Sequence, residues 1–421
     1  MPSSISSSEA ASSDSSLAAL ETGAPAVLAE VAAVVAEGIA TPQHFERPGF
    51  VRLTASDRPG VAQPVPERDI PPQPWGRILL GAVMLFLLLM SLWEAYWRDY
   101  GAVPGYRNSN GAWAEQRRRI DQGEGSKTVL VGSSRILFDV QLPVWERLGG
   151  EPPIQLALEG TSPVPVLEDL AKDPNFTGRL VIGVAPDLFF SGFAYRGAAI
   201  EHFHRQGPSQ RSGHWLSKRL LEPYFAFYDP DFALATVARR QDWPQRPGLR
   251  KDSRVRKLMV QDGPDRNTHM WRKVEVDIPY RDLARSIWTE RLTGPPPPMM
   301  DTPEKARKLV ATQIERAARA VATLRARGVR VVFVRPPSVG DYYAFEQKAM
   351  PRAQTWDVLL HRTGAPGIHF EDHPQLQGYE LPEWSHLTAA DARRFTAQLQ
   401  PLVEREFRRQ EATRTRVAAA P

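Results

Sequence analysis

Two distant segments of the chain hold the residue types of serine-dependent acyl transfer. Ser133 and Ser134 follow a β-branched run in "TVLVGSSR", whereas Glu383 and His386 stand in "LPEWSHLTAADARRF". A serine hydroxyl is a poor nucleophile until a neighbouring imidazole accepts its proton. A carboxylate can in turn orient that imidazole and stabilise its charged form. These residues would act together only if the fold brings the two segments to one place.

The pattern between these segments predicts elements that would do so. Apolar strands alternate with helices, which predicts a five-stranded parallel sheet with helices on both faces. The strands are predicted at 128–131, 154–158, 180–184, 329–334 and 367–370, and the helices at 140–148, 164–171, 302–327, 353–360 and 389–408. Ligands bind beyond the carboxyl ends of parallel strands. We therefore expect the serines and the Glu383–His386 segment at one rim.

Three segments resemble the conserved blocks of the SGNH (GDSL-like) hydrolase superfamily. "VLVGSSR" matches the first block, in which the nucleophile is the second residue after the glycine, here Ser134. "QLALEGTS" is similar to the second block, whose glycine, here Gly160, donates a backbone N–H to the oxyanion hole. "EWSHL" is similar to the last block, Asp-x-x-His, here Glu383 and His386.

The resemblance implies a flavodoxin-like three-layer α/β/α sandwich and a catalytic triad. It covers about 126–185 and 301–411. His386 would be the base and Glu383 the acid, with Asp372 as an alternative acid. The N–H groups of Ser134 and Gly160 would stabilise the oxyanion. Neither a cofactor nor a metal ion is expected.

The sequence departs from the family pattern in three places. Ser133 replaces the aspartate that usually precedes the nucleophile, and the acid is a glutamate. The third block should read Gly-x-Asn-Asp, but this chain has "GVAPD" at 183–187, without the asparagine donor. Losing one oxyanion donor costs about 10²- to 10³-fold in rate. Arg135 or a residue of the insertion described below could replace it.

Arg335, after the fourth predicted strand, is a candidate substrate-binding residue together with Arg135. Arginine binds carboxylates and phosphates through two parallel hydrogen bonds. The alternative for "RPPS" at 335–338 is a rigid loop with a solvated arginine.

A membrane-spanning helix is predicted at 75–98. From Ile78 to Trp93, sixteen residues pass without a charge, and tryptophan and arginine stand at both ends. Such aromatic belts favour a membrane interface over a buried core helix, which is the alternative. Within about 15 residues of the span, two basic residues precede it and two follow it, so charge does not set the orientation.

The rest of the chain divides by composition. Residues 1–74 are predicted to be a disordered Ser/Pro-rich tail, 99–125 a linker, and 412–421 a disordered tail. The α/β domain at 126–411 carries an insertion at 191–300, which ends in "GPPPP".

The composition excludes several kinds of site and of partner. The 421 residues include no cysteine, which excludes disulfides, thiolate metal sites and a cysteine nucleophile. The net charge of +5 indicates a mild attraction to anionic surfaces. No nucleic-acid recognition motif accompanies it, and nucleic acid is not an expected partner.

The resulting expectation is a single-pass inner-membrane esterase or O-acyltransferase acting on cell-envelope polysaccharide or lipid. The chain resembles membrane-anchored members of the superfamily, including alginate O-acetylation proteins, which implies a periplasmic C-terminal domain. Expected partners are the lipid bilayer, the acylated polysaccharide or lipid, and a membrane-bound acyltransferase. One alternative is a catalytically degenerate SGNH-like scaffold of an acylation or assembly complex. Another is a flavodoxin-like binding domain without covalent chemistry.

Overall fold

A computed structural model describes residues 72–241 and 257–418. The chain divides into one unit up to Leu80 and a second from Gly81 onward. In the described ranges one helix, α1 (Trp75–Tyr100), is long and apolar enough to cross a membrane. The predicted tail at 1–74 lies, up to residue 71, outside the described residues.

The second unit is an α/β fold built on a parallel sheet. Its five strands run in the order β2-β1-β3-β6-β7, and every neighbouring pair is parallel. A separate antiparallel pair joins β4 to β5. The strands are β1 (Thr128–Val131), β2 (Ile154–Gln155), β3 (Arg179–Gly183), β4 (Met259–Gln261), β5 (Thr268–Met270), β6 (Arg330–Arg335) and β7 (Gly367–His369).

Helices connect these strands and continue beyond them. After α1 the α-helices are α2 (Asn110–Arg119), α3 (Ser134–Asp139), α4 (Leu142–Gly149), α5 (Val164–Lys172), α6 (Pro186–Phe189), α7 (Ala198–Arg205), α8 (Pro208–Leu220), α9 (Leu234–Arg239), α10 (Arg272–Val276), α11 (Ile278–Thr293), α12 (Pro303–Ala326), α13 (Gly340–Ala349), α14 (Trp356–Thr363) and α15 (Ala389–Ala418). A π-helical turn, Ile120–Glu124, continues α2. Short 3₁₀ turns lie at Ala226–Tyr228, Arg352–Gln354, Phe370–Asp372 and Pro374–Leu376.

The sheet is buried on both faces. Val129 and Val131 of β1 belong to one apolar cluster, and Leu130 between them belongs to another. Alternate residues of a strand point to opposite faces, so both faces of the sheet are covered. This burial explains the continuous apolar runs of the strands, which are typical of parallel sheets.

The predicted α/β class and the five-stranded parallel sheet are confirmed, with differences at the element ends. The second strand ends at Gln155, although the N–H groups of Leu156 and Leu158 still bond to the carbonyls of Leu130 and Gly132 at 2.8 and 2.9 Å. Helix α3 was not predicted because "RILF" fits a strand as well as a helix. The last helix continues ten residues past the predicted end at 408, into the predicted tail at 412–421.

The segment predicted as a linker at 99–125 packs into the folded body. Trp113 of α2 is fully buried in the main apolar cluster. Its neighbour Arg117 forms buried ion pairs with Asp169 at 2.8 Å and Asp173 at 2.7 Å. A buried arginine between two carboxylates fixes α2 on α5 and on the turn that follows α5.

The insertion packs against the end of α1. Trp97 stacks on Phe232, with ring centroids 4.7 Å apart, in a cluster that also contains Trp271 and Tyr280. Glu94 accepts hydrogen bonds from the N–H groups of Ala226 and Phe227, both at 2.9 Å. The predicted insertion at 191–300 is therefore structured over its described residues, and it fixes the end of α1 to the α/β body.

The close approach of α3 to β3 requires a glycine. A Cβ at Gly183 would lie 2.0 Å from Cγ1 of Ile136, which is fully buried. Replacing Gly183 by alanine should therefore displace α3 and lower the free energy of unfolding by about 1–3 kcal/mol. Thermal unfolding of the full chain in detergent would measure the effect.

Gly213→Ala is the matched control because nothing lies within 4 Å of its added Cβ. Since alanine favours a helix over glycine, this variant should keep or raise the unfolding temperature. Equal unfolding temperatures for Gly183→Ala and the unmodified chain would contradict the packing argument.

Candidate active site

The carboxyl ends of the five parallel strands lie at one edge of the sheet. The direction in which successive strands are added to the sheet reverses between β1 and β3. From β1 the chain continues to β2 on one side, whereas β3 lies on the other side of β1. Such a switch point is where open parallel sheets bind ligands. Ser134 begins α3 three residues after β1 ends, and Asp187 lies in α6 just after β3.

Helix α3 is held against the segment that contains His386. The Nε of Arg135 donates to Oγ of Ser385 at 3.3 Å. Oδ1 of Asp139 accepts from the N–H of Leu387 at 3.0 Å. These contacts align residues 385–387 along one side of α3, and all the groups involved are buried.

His386 lies close to the start of α3. Its ring stacks on that of Phe138, with centroids 4.3 Å apart and planes at 28°. Ser134 and Phe138 are four residues apart and share one face of the helix. Helical side chains lean toward the N-terminus, so the ring of Phe138 leans toward Ser134. His386 therefore contacts the helix that begins at the partly exposed Ser134, and among the described residues no hydrogen bond joins Ser134 to its Nε2.

The imidazole of His386 is oriented by Glu383. Its Nδ1 lies 2.7 Å from Oε1 of Glu383, and its backbone N–H donates to the same oxygen at 2.7 Å. The other oxygen of Glu383 accepts from Nε1 of Trp288. Within the described residues, Nε2 of His386 is buried and has no hydrogen-bond partner. With Nδ1–H donated to the carboxylate, Nε2 is a free proton acceptor.

A strained backbone holds this loop in shape. Trp384 has φ of 73°, a left-handed conformation that is uncommon for a bulky residue. Its carbonyl accepts from the N–H of Val339 at 3.0 Å, which ties the loop to the segment after β6. The strained residue directly follows Glu383, so it sets the angle at which the acid meets the imidazole.

Gly160 occupies a position that favours glycine. Its φ is 57°, and an added Cβ would lie 3.3 Å from Cβ of Tyr195. Its carbonyl accepts from the N–H of Tyr195 at 3.1 Å. Within 72–241 and 257–418, the N–H groups of Ser134 and Gly160 donate to no protein acceptor. An oxyanion hole uses free backbone donors of this kind.

Arg291 of the insertion approaches residues 183–187 after β3, the segment that the sequence analysis compared with the third block. Asp187 accepts from Nη2 of Arg291 at 2.9 Å and from the hydroxyl of Tyr342 at 2.8 Å. The guanidinium of Arg291 also lies over the ring of Phe193, 5.8 Å from its centroid. Phe193 precedes the 194–195 segment that pairs with Thr161 and Gly160. A partly exposed positive charge therefore lies between the second and third blocks.

Arg135 and Arg335 do not face open solvent. Both guanidinium groups contact the buried carboxylate of Glu346, at 2.8 and 2.7 Å, and each arginine is at most 3% exposed. Burial is the largest single effect and disfavours the charged form of Arg135, but Glu346, Tyr342 and Asp187 together outweigh it and raise the pKa of Arg135. The two guanidinium groups that the sequence analysis assigned to substrate binding therefore form a buried ion-pair network with Glu346.

The alternative acid lies elsewhere. Asp372 forms an ion pair with Arg352 at 2.6 Å and is half exposed. The hydrogen bond from the side chain of Arg352 lowers the pKa of Asp372, with a smaller opposing effect of burial. The structure therefore brings Glu383, and not Asp372, to His386.

Sequence reasoning missed three polar residues of the site. Trp288 and Arg291 lie on α11, within an insertion whose helices the sequence analysis did not predict, and nothing in their local pattern pointed to the site. Asp139 gave a usable signal, because it is a lone carboxylate within the apolar run "RILFDV". Such an acid must either turn to solvent or find buried donors.

Comparisons with known proteins assign no family to the chain. No protein-family model matches the sequence, and no curated protein is significantly similar to it. In the described residues, no group of three or more His, Asp and Glu side chains is placed to hold a metal ion.

Asp139 makes stability depend on pH. Burial raises its pKa from 3.8 to about 7, although His386 and the N–H of Leu387 favour the charged form. Between about pH 4 and pH 7 the folded protein holds a proton that the unfolded chain has released. Stability from this group is therefore fully present below about pH 4 and is lost as the pH rises through about 7.

Asp139→Asn, which mimics the protonated acid, should remove this loss. We expect the variant to match the unmodified chain near pH 4 and to be more stable at pH 8 by up to about 4 kcal/mol. Thermal unfolding in detergent at pH 4, 5.5 and 8 measures the trend. A stability difference that does not change with pH would contradict it.

Proposed function

We propose that the chain is a membrane-anchored serine acyl-ester hydrolase or O-acyltransferase of the SGNH type. Ser134 is the nucleophile, His386 the general base and Glu383 the acid that orients it. The proposal includes the flavodoxin-like three-layer architecture, which the buried five-stranded parallel sheet supports.

One observation carries the proposal. Nδ1 of His386 is bound by the buried Glu383, while Nε2 is buried without a partner among the described residues, and the same ring stacks on the helix that begins at Ser134. A purely structural histidine at such a position would be expected to satisfy both ring nitrogens, because an unpaired buried polar atom costs about 1–3 kcal/mol. A serine hydroxyl that approaches Nε2 during the reaction accounts for the vacant acceptor.

The proposed reaction passes through an acyl-enzyme. Nε2 of His386 removes the proton of Ser134 as Oγ attacks the acyl carbonyl, and Glu383 stabilises the resulting imidazolium. The N–H groups of Ser134 and Gly160 bind the tetrahedral oxyanion. Collapse of the intermediate releases the alcohol, which takes the proton from His386. The acyl group then passes to water in a hydrolase, or to an acceptor hydroxyl in a transferase.

We further propose that the substrate is an acylated polysaccharide or lipid of the cell envelope and that the α/β domain is extracytoplasmic. Support comes from α1, which is long and apolar enough to hold the domain at a membrane. The partly exposed Ser134 at the sheet edge allows a bulky ester to approach. A membrane-bound acyltransferase that supplies or receives the acyl group would be the partner.

Removal of the nucleophile tests the reaction. Ser134→Ala in the full chain should lower turnover of p-nitrophenyl acetate by at least about 10³-fold, because no other group attacks the carbonyl. Ser133→Ala is the matched control, since the side chain of Ser133 makes no capping hydrogen bond to α3. Unchanged turnover in Ser134→Ala would show that this serine is not the nucleophile.

Arg291 is proposed to replace the missing asparagine donor of the third block. Arg291→Ala should lower kcat by about 10²- to 10³-fold with a small change in KM, and Arg291→Lys should recover part of the loss. Arg281→Ala on the same helix is the control, because Arg281 bonds to the carbonyls of Val274 and Glu275. A fall in unfolding temperature without a specific fall in kcat would assign Arg291 a structural role only.

The second candidate is a catalytically degenerate scaffold of a membrane acylation or assembly complex. Two features favour it: Ala185 stands where the family has its asparagine, and Ser133 stands where it has an aspartate. The scaffold hypothesis expects no serine-dependent turnover from the unmodified chain. The Ser134→Ala comparison therefore separates the two candidates.

A further inference from the structure

Helix α8 of the insertion has an apolar side that nothing in the described structure covers. None of its residues is buried. Trp215, Leu216 and Leu220 are 60%, 49% and 53% exposed. The exposed side also carries Arg211 and Arg219. Large apolar side chains flanked by cations are typical of helices that lie in a membrane interface.

The opposite side of α8 is fixed to the folded body. His214 lies 3.1 Å from a carboxylate oxygen of Glu115 on α2, and Lys218 contacts the other oxygen of the same carboxylate. Ser217 donates to the buried Glu222 at 2.7 Å. These contacts hold α8 with its apolar side uncovered.

The segment after α8 is attached to the end of the proposed membrane span. The carbonyl of Tyr224 accepts from Nη2 of Arg98 at 3.0 Å, and Glu94 accepts from the N–H groups of Ala226 and Phe227. Glu94 is the first charged residue after the run that ends at Trp93. If α1 crosses a bilayer, these contacts lie at the level where the chain leaves the hydrocarbon.

The exposed apolar side chains therefore continue from α8 to the membrane exit. Tyr224 and Phe225 are 60% and 38% exposed, and Tyr96 of α1 is 59% exposed. Leu220 lies four residues before Tyr224, within about 14 Å along the chain. We define the α8 face as Trp215, Leu216, Leu220, Tyr224 and Phe225.

We propose that the α8 face lies on the headgroup region of the membrane that α1 crosses, as a second and non-covalent membrane attachment. Residues 207–221 contain no acid, so the cations of α8 complement anionic headgroups. The attachment fixes the tilt of the α/β domain above the bilayer. The proposal rests on α1 as a membrane span, which is part of the proposed function, and not on the serine chemistry.

Single cysteines test this directly, because the chain has none of its own. Leu216→Cys and Leu220→Cys, in the full chain, would each carry an environment-sensitive fluorophore. The proteins would be reconstituted in nanodiscs of phosphatidylcholine and phosphatidylglycerol, with and without brominated lipid as a quencher. We expect blue-shifted emission and loss of fluorescence with brominated lipid at both positions.

Two further labels make the outcomes separable. Leu88→Cys, within the charge-free run of α1, should be quenched strongly. Val358→Cys on α14, which packs against α12, should not be quenched. If the Leu88 label is quenched but the Leu216 and Leu220 labels respond like the Val358 label, the α8 face does not lie on lipid and the inference is overturned. If the Leu88 label also escapes quenching, α1 is not a span and the membrane part of the proposed function fails with the inference.

A second copy of the chain is the competing occupant of the α8 face. In that case the Leu216 label would be blue-shifted only in nanodiscs that hold two protein copies, and brominated lipid would not quench it. That result would overturn the lipid assignment.

Discussion

The contact between α3 and residues 385–387 determines whether this chain has a reactive site. About 250 residues separate the two segments in sequence, and three side chains of α3 join them. Arg135 donates a hydrogen bond to Ser385, and Asp139 accepts one from Leu387. Between these two contacts the ring of Phe138 stacks on that of His386. The position of His386 relative to Ser134 therefore depends on a short helix of six residues, Ser134–Asp139.

A helix of this length has little stability of its own, so tertiary contacts must hold it. Ile136 packs against the backbone of β3 at Gly183, and Arg135 is fixed by Glu346 below the site. Such buried charges contribute little net stability, since the cost of desolvation offsets much of their attraction. The network around Glu346 therefore sets the geometry of the site, and the apolar clusters on the two sheet faces stabilise it.

Two parts of the insertion contact different regions of the protein. One part packs on the end of α1 and fixes the α/β body to the proposed span. Another part, α11, reaches the sheet edge, where Trp288 bonds to Glu383 and Arg291 bonds to Asp187. The same insertion that packs on α1 thus also contacts Glu383 and Asp187.

The sequence predicted the parallel sheet because β1, β3 and β6 are apolar runs separated by helix-forming segments. It also predicted that Ser134 and His386 lie at the same edge of the sheet. Ser134 follows the first strand and His386 precedes the last helix, and the connections of a parallel sheet place both positions at that edge. It could not predict α3, because "RILF" fits a strand as well as a helix and only packing on Gly183 decides between them. The sequence also could not predict that Arg135 and Arg335 pair with Glu346, because no local pattern links Glu346 to either arginine.

The central claim is that His386 activates Ser134, and covalent trapping tests it most directly. The full chain in nanodiscs would be treated with a fluorophosphonate, and the modified residue located by mass spectrometry. The account predicts an adduct on Ser134 that forms at least about 10³-fold more slowly in His386→Gln, because the serine then lacks its base. An adduct on another serine, no adduct at all, or an equal rate in His386→Gln would contradict it.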